Sequence, residues 1–169
     1  VINLRKNITG LITAFKKVKK KFPSLKLVLI SSYISRDSYA VEEEIRKYND
    51  DIILLTSVPQ QELVYYYNSA DIFIFPSFAE GFGLPVLEAM ACGTPVIASR
   101  ATAIPEVGGD AISYFDPYNF DEMAERIIEL LEDELKRKRI SESGLSRAKE
   151  FSWERGAQIL ISTWEKFIR

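Results

Sequence analysis

The sequence contains no histidine and a single cysteine, Cys92, among 169 residues. Without histidine, Ser-His-Asp and Cys-His catalysis are excluded, and so are histidine-ligated metal sites. One cysteine forms neither an internal disulfide nor a thiolate zinc site, which fits a reducing compartment. Cys92 lies in an apolar stretch, where a small core residue is expected rather than a nucleophile. No apolar run is long enough to span a membrane, and no signal-peptide pattern opens the chain. Charge of one sign is also scarce: 22 Lys and Arg against 24 Asp and Glu leave a net charge of −2. No global basic field therefore argues for nucleic acid. Local basic clusters at Lys16–Lys21 and Lys136–Arg139 read as solvated helix faces. The chain opens at Val1 without an initiator methionine, which points to a piece of something longer.

What remains is the composition of an ordinary globular domain, 47% hydrophobic and 27% charged, long enough for one sizeable core. Helix and strand signals alternate. From Asn7 to Phe22 the apolar residues Ile8, Leu11, Ile12, Phe15, Val18 and Phe22 recur at three- and four-residue steps, an amphipathic helix stopped by Pro23. Leu25–Ile30 reads as a buried strand, Val41–Tyr48 as a polar helix, and Asp51–Thr56 as a second strand. A helix from Pro59 carries Leu63, Tyr66 and Tyr67, and Asp71–Phe75 is a third strand. Thr94–Ser99 and Ala111–Phe115 complete the strands, Asp121–Leu135 and Phe151–Phe167 are helices, and Ser152 stands where an N-cap belongs. Val1–Leu4 reads as the end of one more strand. Apolar strands alternating with helices predict an α/β fold, a Rossmann-like doubly wound parallel sheet in one domain over residues 1–169. Ligands of such sheets bind at the carboxyl ends of the strands.

One segment at such an end stands out. Glu80-Gly81-Phe82-Gly83-Leu84-Pro85-Val86-Leu87-Glu88 follows the third strand and opens a short helix ended by Gly93. Pro85 suits the first helical position. The free N–H groups of the helix start carry about half a positive charge and favour phosphate or carboxylate. Two glycines permit close approach of a ligand to the backbone. Between Glu80 and Arg100, Glu88 is the only charged residue, and a lone buried charge is costly without a partner. Glu88 can accept two hydroxyl hydrogen bonds, as from the diol of a ribose, and Glu80 would face the other end of the same ligand. A nucleotide sugar has this layout. A bland reading also fits: a structural strand-to-helix turn, a Glu88 satisfied by backbone donors and a Glu80 exposed in a loop.

The stretch Pro76–Ile97, with seven residues between Glu80 and Glu88, resembles the signature of group 1 (family 4) glycosyltransferases. The resemblance continues through Ile104-Pro105-Glu106-Val107-Gly108-Gly109-Asp110-Ala111, Phe115-Asp116-Pro117, Phe151-Ser152-Trp153 and Arg5-Lys6-Asn7-Ile8, and so covers nearly the whole chain. It implies a retaining enzyme of the GT-B fold, of which this chain is the C-terminal, donor-binding half. By that likeness Glu88 binds the ribose hydroxyls, Glu80 contacts the transferred sugar, and the amides of Gly81, Phe82, Gly83 and Leu84 reach the sugar and diphosphate. Lys6 would neutralise the departing diphosphate, whereas Arg5 reads as a surface residue. The donor implied is a UDP- or GDP-linked hexose of the mannose or glucose type, with no metal and no further cofactor. The partner implied is an N-terminal acceptor-binding domain of the same enzyme, in the cytoplasm, with room for a peripheral seat of the whole enzyme on the inner membrane face. Without that domain, the 169-residue chain is expected to bind donor and not to turn it over.

The chain departs from the family pattern in three places. The Gly-Arg or similar pair found about six residues before the lysine would precede Val1. Ser31-Ser32-Tyr33 and Ser57 stand where glycines are frequent. Two other classes remain: a non-catalytic nucleotide-sugar-binding or scaffold module, and a glycosidase using Glu80 and Glu88 as its carboxylate pair. The glycosidase has no use for an anion site at a helix start.

Overall fold

The computed structural model describes residues 2–32, 35, 39–48 and 50–168. Val1 and Tyr33, both singled out above, lie outside them. Five strands alternate with eight α-helices among the described residues. The strands are β1 (Leu27–Ser31), β2 (Ile52–Thr56), β3 (Phe73–Phe75), β4 (Val96–Ser99) and β5 (Ser113–Phe115). The helices are α1 (Ile8–Lys19), α2 (Tyr39–Lys47), α3 (Leu63–Ser69), α4 (Leu84–Ala91), α5 (Ile104–Gly108), α6 (Phe120–Glu132), α7 (Glu134–Ala148) and α8 (Trp153–Phe167).

Every strand pair is parallel, as expected from strands joined through helices. The sheet is in two parts, however: β1 pairs with β2, and β3, β4 and β5 form a separate three-stranded sheet with β4 in the middle. All four residues of β4 are buried because helices cover both its faces. Ile97 and Phe115 point into a core with Leu11, Ile12, Phe15, Met123, Ile127 and Leu130 of α1 and α6. Phe75, Val96 and Ala98 point the other way, against Val86, Met90, Ile104 and Val107 of α4 and α5. This two-sided layering is the doubly wound α/β architecture read from the sequence.

Two expectations about helices are corrected. The helix predicted over Asp121–Leu135 ends at Glu132, where Asp133 leaves the helical region and its side chain accepts from Lys136 N–H to start α7. No separate helix was expected over Glu134–Ala148. Its polar composition hides it, since Gly144 is its only buried residue; a side chain there would press on Met90, so the glycine lets α7 lie close over α4. Leu84, not Pro85, is the first residue of α4, with Pro85 second. Ser152 does cap α8, accepting from Arg155 N–H at 3.1 Å.

The basic cluster of α1 is spent on ion pairs, Lys16 with Glu44, Lys17 with Asp121, Lys19 with Asp51 and Lys21 with Glu132. These pairs tie α1 to its neighbours at modest energetic gain. No helix among the described residues is long and apolar enough to cross a membrane.

Candidate functional site

The site lies where the chain leaves β3. Residues 76 to 83 form a loop that feeds α4, and Gly83 takes φ +99°, a left-handed value that costs a glycine nothing. The N–H groups of Gly81, Phe82, Gly83 and Leu84 find no acceptor among the described residues, so the start of α4 presents free donors. Phe82 at the loop tip packs edge-on against Phe151, their ring centres 6.0 Å apart. That gives the distant Phe151-Ser152-Trp153 motif a structural role beside the site.

Glu80 is brought against residues more than seventy positions away. Lys6 Nζ lies 2.7 Å from Glu80 Oε1, and an Arg5 guanidinium nitrogen lies 2.8 Å from Oε2 and donates to Ala79 O at 2.7 Å. The Glu80 side chain is only 10% exposed. Burial works against its charge, but Lys6, Ser77 and Arg5 outweigh it and hold the carboxyl below the usual range. The Ser77 hydroxyl is buried and completes no hydrogen bond of its own. Arg5, expected at the surface, is 47% exposed and yet paired with Glu80. Its exposure agrees with that expectation, and the ion pair adds a partner that a guanidinium at a helix start does not mark in the sequence.

Two residues that sequence reasoning missed hold this arrangement. Thr102 clamps Glu80 from both sides: its Oγ1 accepts from Glu80 N–H at 2.8 Å and donates to Glu80 O at 2.9 Å. To do so it takes φ 47°, a left-handed value unfavourable for a β-branched residue. Asn7, buried and also left-handed at φ 52°, donates through Nδ2 to Pro76 O at 3.1 Å and to Pro117 O at 2.9 Å. The adjacent Lys6 is thereby anchored over the ends of β3 and β5.

Glu88 sits one turn into α4, where Tyr67 O–H donates to its Oε2 at 2.9 Å. Burial and the Glu88 charge both push the Tyr67 phenol upward, so it stays a proton donor at any physiological pH. Lys6, Tyr67 and Glu88 line one cavity of about 900 Å³, while Glu80 reaches it through Lys6. Burial and Glu88 also raise the Cys92 thiol, which suits a packing residue rather than a nucleophile. Ser57 adopts φ 59°, a value that glycine takes without strain. Among the described residues no group of three or more His, Cys, Asp or Glu converges as a metal site.

The Glu80 cluster has a consequence for stability. A carboxyl whose folded pKa is depressed adds stability above its unfolded value, near 4.5, and loses it as pH falls through the lower folded value. Glu80→Gln therefore lowers the thermal midpoint at pH 7. The gap between variant and parent closes as pH drops below 4.5. A gap that persists at the acid limit of the folded state would show that the charge is not what Glu80 contributes.

The family model described as glycosyl transferases group 1 matches residues 1–147. O-antigen chain mannosyltransferase B of Escherichia coli is 38% identical over 152 residues, covering 89% of this chain and 40% of that protein. The structure of sucrose-phosphate synthase from Thermosynechococcus elongatus superimposes with a TM-score of 0.84 at 26% identity, over 98% of this chain and 43% of the other. The C-terminal domain of a group 1 glycosyl transferase family protein from Francisella tularensis gives 0.78 at 27% identity, over 88% and 80%. The chain thus spans about two fifths of the mannosyltransferase it matches. In its fold and in its motifs from Lys6 to Gly109, this chain belongs to the group 1 glycosyltransferases, as a C-terminal domain of the GT-B fold.

Proposed function

We propose that this chain is the donor-binding half of a retaining hexosyltransferase, and that its donor is a UDP- or GDP-linked sugar of the mannose or glucose type. The observation that carries the reading is the Lys6–Glu80 pair set beside the free N–H groups that open α4, with Glu88 one turn further and lining the same cavity as Lys6. In this reading the amides of Gly81–Leu84 and the Lys6 ammonium grip the diphosphate. Those donors strengthen as the leaving diphosphate gains charge, which lowers the barrier where charge develops. Glu88, oriented by Tyr67, takes the ribose diol. Glu80, kept ionised by Lys6 and Arg5, accepts from the hydroxyls of the transferred sugar. The mannosyltransferase relative favours a mannose donor.

An N-terminal domain would bring the acceptor and the remaining contacts across the cleft, so this chain alone binds donor without turnover. Calorimetry with UDP-, GDP- and ADP-sugars tests the reading. One nucleotide series is expected to bind, and Glu88→Ala to weaken it about 20-fold, within the 1–3 kcal/mol lost when a buried polar partner goes. No binding by any series would leave a non-catalytic scaffold as the better account. Steady transfer by the 169-residue chain alone would overturn the division of labour. A glycosidase is disfavoured by the free N–H groups that open α4, an anion site for which such an enzyme has no use.

A further inference from the structure

Glu80 touches the walls of two cavities. It reaches the one of about 900 Å³ through Lys6, which lines it. Its backbone is clamped by Thr102, and Thr102 lines a second concavity of about 510 Å³ that the donor reading leaves unused. That volume falls within the range of about 300–1,000 Å³ typical of small-molecule sites. Phe78, two residues before Glu80 in the same loop, lines the second concavity together with Arg100, just past β4, and Asp116 and Tyr118, just past β5. It thus opens at the carboxyl ends of these strands, on the same side of the sheet as the α4 site.

The lining has a consistent chemistry. The Tyr118 residue is 75% exposed and its ring stacks on Phe78, with ring centres 4.9 Å apart and planes 28° apart. One ring held on another makes a rigid platform whose outer face is free, and that electron-rich face attracts the C–H groups of a sugar ring. Asp116 Oδ1 accepts from Tyr118 N–H at 2.9 Å, and Glu122 Oε2 accepts from Asp116 N–H at 2.9 Å. Each carboxylate is fixed by one oxygen, and Asp116 Oδ2 has no hydrogen-bond partner among the described residues. The Arg100 guanidinium lies 4.8 Å from the Tyr114 ring and pairs with no carboxylate among the described residues. An open carboxylate oxygen and an unpaired guanidinium offer an acceptor and several donors to neighbouring hydroxyls. Two carboxylates beside one guanidinium disfavour an anion. An aromatic platform with fixed donors and acceptors and no surplus positive charge suits a neutral saccharide.

We propose that this concavity binds neutral saccharide and seats the acceptor beside the sugar that Glu80 holds. Its place as the acceptor seat rests on the donor reading above, whereas its binding of saccharide rests on its own lining. Thr102 joins the two, since the residue that fixes the Glu80 backbone is also a wall of the subsite. The acceptor is then gripped in part by this half of the molecule, and not only from across the cleft.

Amide chemical shifts of the isotope-labelled 169-residue chain test the inference, with α-linked mannotriose and maltotriose as probes. At least one trisaccharide is expected to move the amides of Arg100, Thr102, Asp116 and Tyr118 saturably, and to do so equally at saturating UDP or GDP. Tyr118→Ala should weaken that binding about 5–10-fold, while Tyr118→Phe, which keeps the platform, binds as the parent does. Arg100→Ala should weaken it to a similar degree, about 5–10-fold. Both side chains are exposed, so the fold persists, and nucleotide-sugar affinity measured by calorimetry should be unchanged in all three variants. Glu88→Ala should do the reverse, weakening the nucleotide and sparing the trisaccharide. No saturable shift with either trisaccharide would overturn the proposal, as would shifts that survive Tyr118→Ala. Displacement of the trisaccharide by free nucleotide, or the same Tyr118-dependent shifts with inorganic phosphate, would overturn it too. Failure of the donor reading shows separately, as absence of nucleotide binding in the calorimetry.

Discussion

Lys6→Ala lowers nucleotide-sugar affinity about 100-fold while the fold stays intact. The Lys6 ammonium lines the same cavity as Glu88, held 2.7 Å from Glu80 and 5.0 Å above the Phe75 ring, with its side chain 23% exposed. A partly desolvated cation is worth more to a diphosphate than one in water, and hydrogen bonds to charged groups contribute about 1.5–3 kcal/mol. At 1.4 kcal/mol per decade, that range spans about one to two decades of affinity. Glu80 keeps Arg5 as its partner in the variant, so its charge is not stranded and the melting point moves little. Lys6→Arg is expected to recover part of the affinity, since it restores the charge in a flatter and bulkier form. Calorimetry with the nucleotide series that binds the parent decides the matter, and a loss below about threefold would remove Lys6 from the diphosphate site.

Asn7→Ala costs about 3–4 kcal/mol of stability, the largest effect expected of any single substitution near the site. The amide of Asn7 serves Pro76 O and Pro117 O, two carbonyls at the ends of different strands, and the residue is 4% exposed. Truncation strands both carbonyls away from water, and alanine must also hold φ 52°, which asparagine tolerates better. Asn7→Gly separates the two causes: it loses the same hydrogen bonds without the strain and should cost less by about 1 kcal/mol. Urea unfolding measures both. In either variant donor affinity falls as well, because the neighbouring Lys6 loses its anchor. A neutral Asn7→Ala would mean that the strand ends are held by packing alone.

Much of the site was legible as a local pattern. A strand, two glycines, a proline near the helix start and two carboxylates eight positions apart are neighbours in sequence, and short-range geometry places them. The predicted strands and most helices follow for the same reason, since periodicity reports which face of an element is buried. Reading failed where burial leaves no periodic trace. Helix α7 buries only Gly144, and its start depends on the Asp133 side chain rather than on an apolar stripe. Thr102 looks like any loop threonine until its φ and its two bonds to Glu80 are known. Tyr67 reads as one of three consecutive tyrosines, and only packing singles it out as the partner of Glu88.

The sequence by itself determined the fold class, the family and the identity of Lys6, Glu80 and Glu88 as the residues to watch. Glu80 and Glu88 are close enough in the chain for spacing to imply geometry, whereas Lys6 is marked only by the family resemblance. Only the tertiary structure decided which charges meet. The Lys6–Glu80 and Arg5–Glu80 pairs join residues 74 and 75 positions apart, and Asn7 reaches 110 positions to Pro117. Such contacts arise because parallel strands bring their carboxyl ends to one side of the sheet, whatever their separation along the chain.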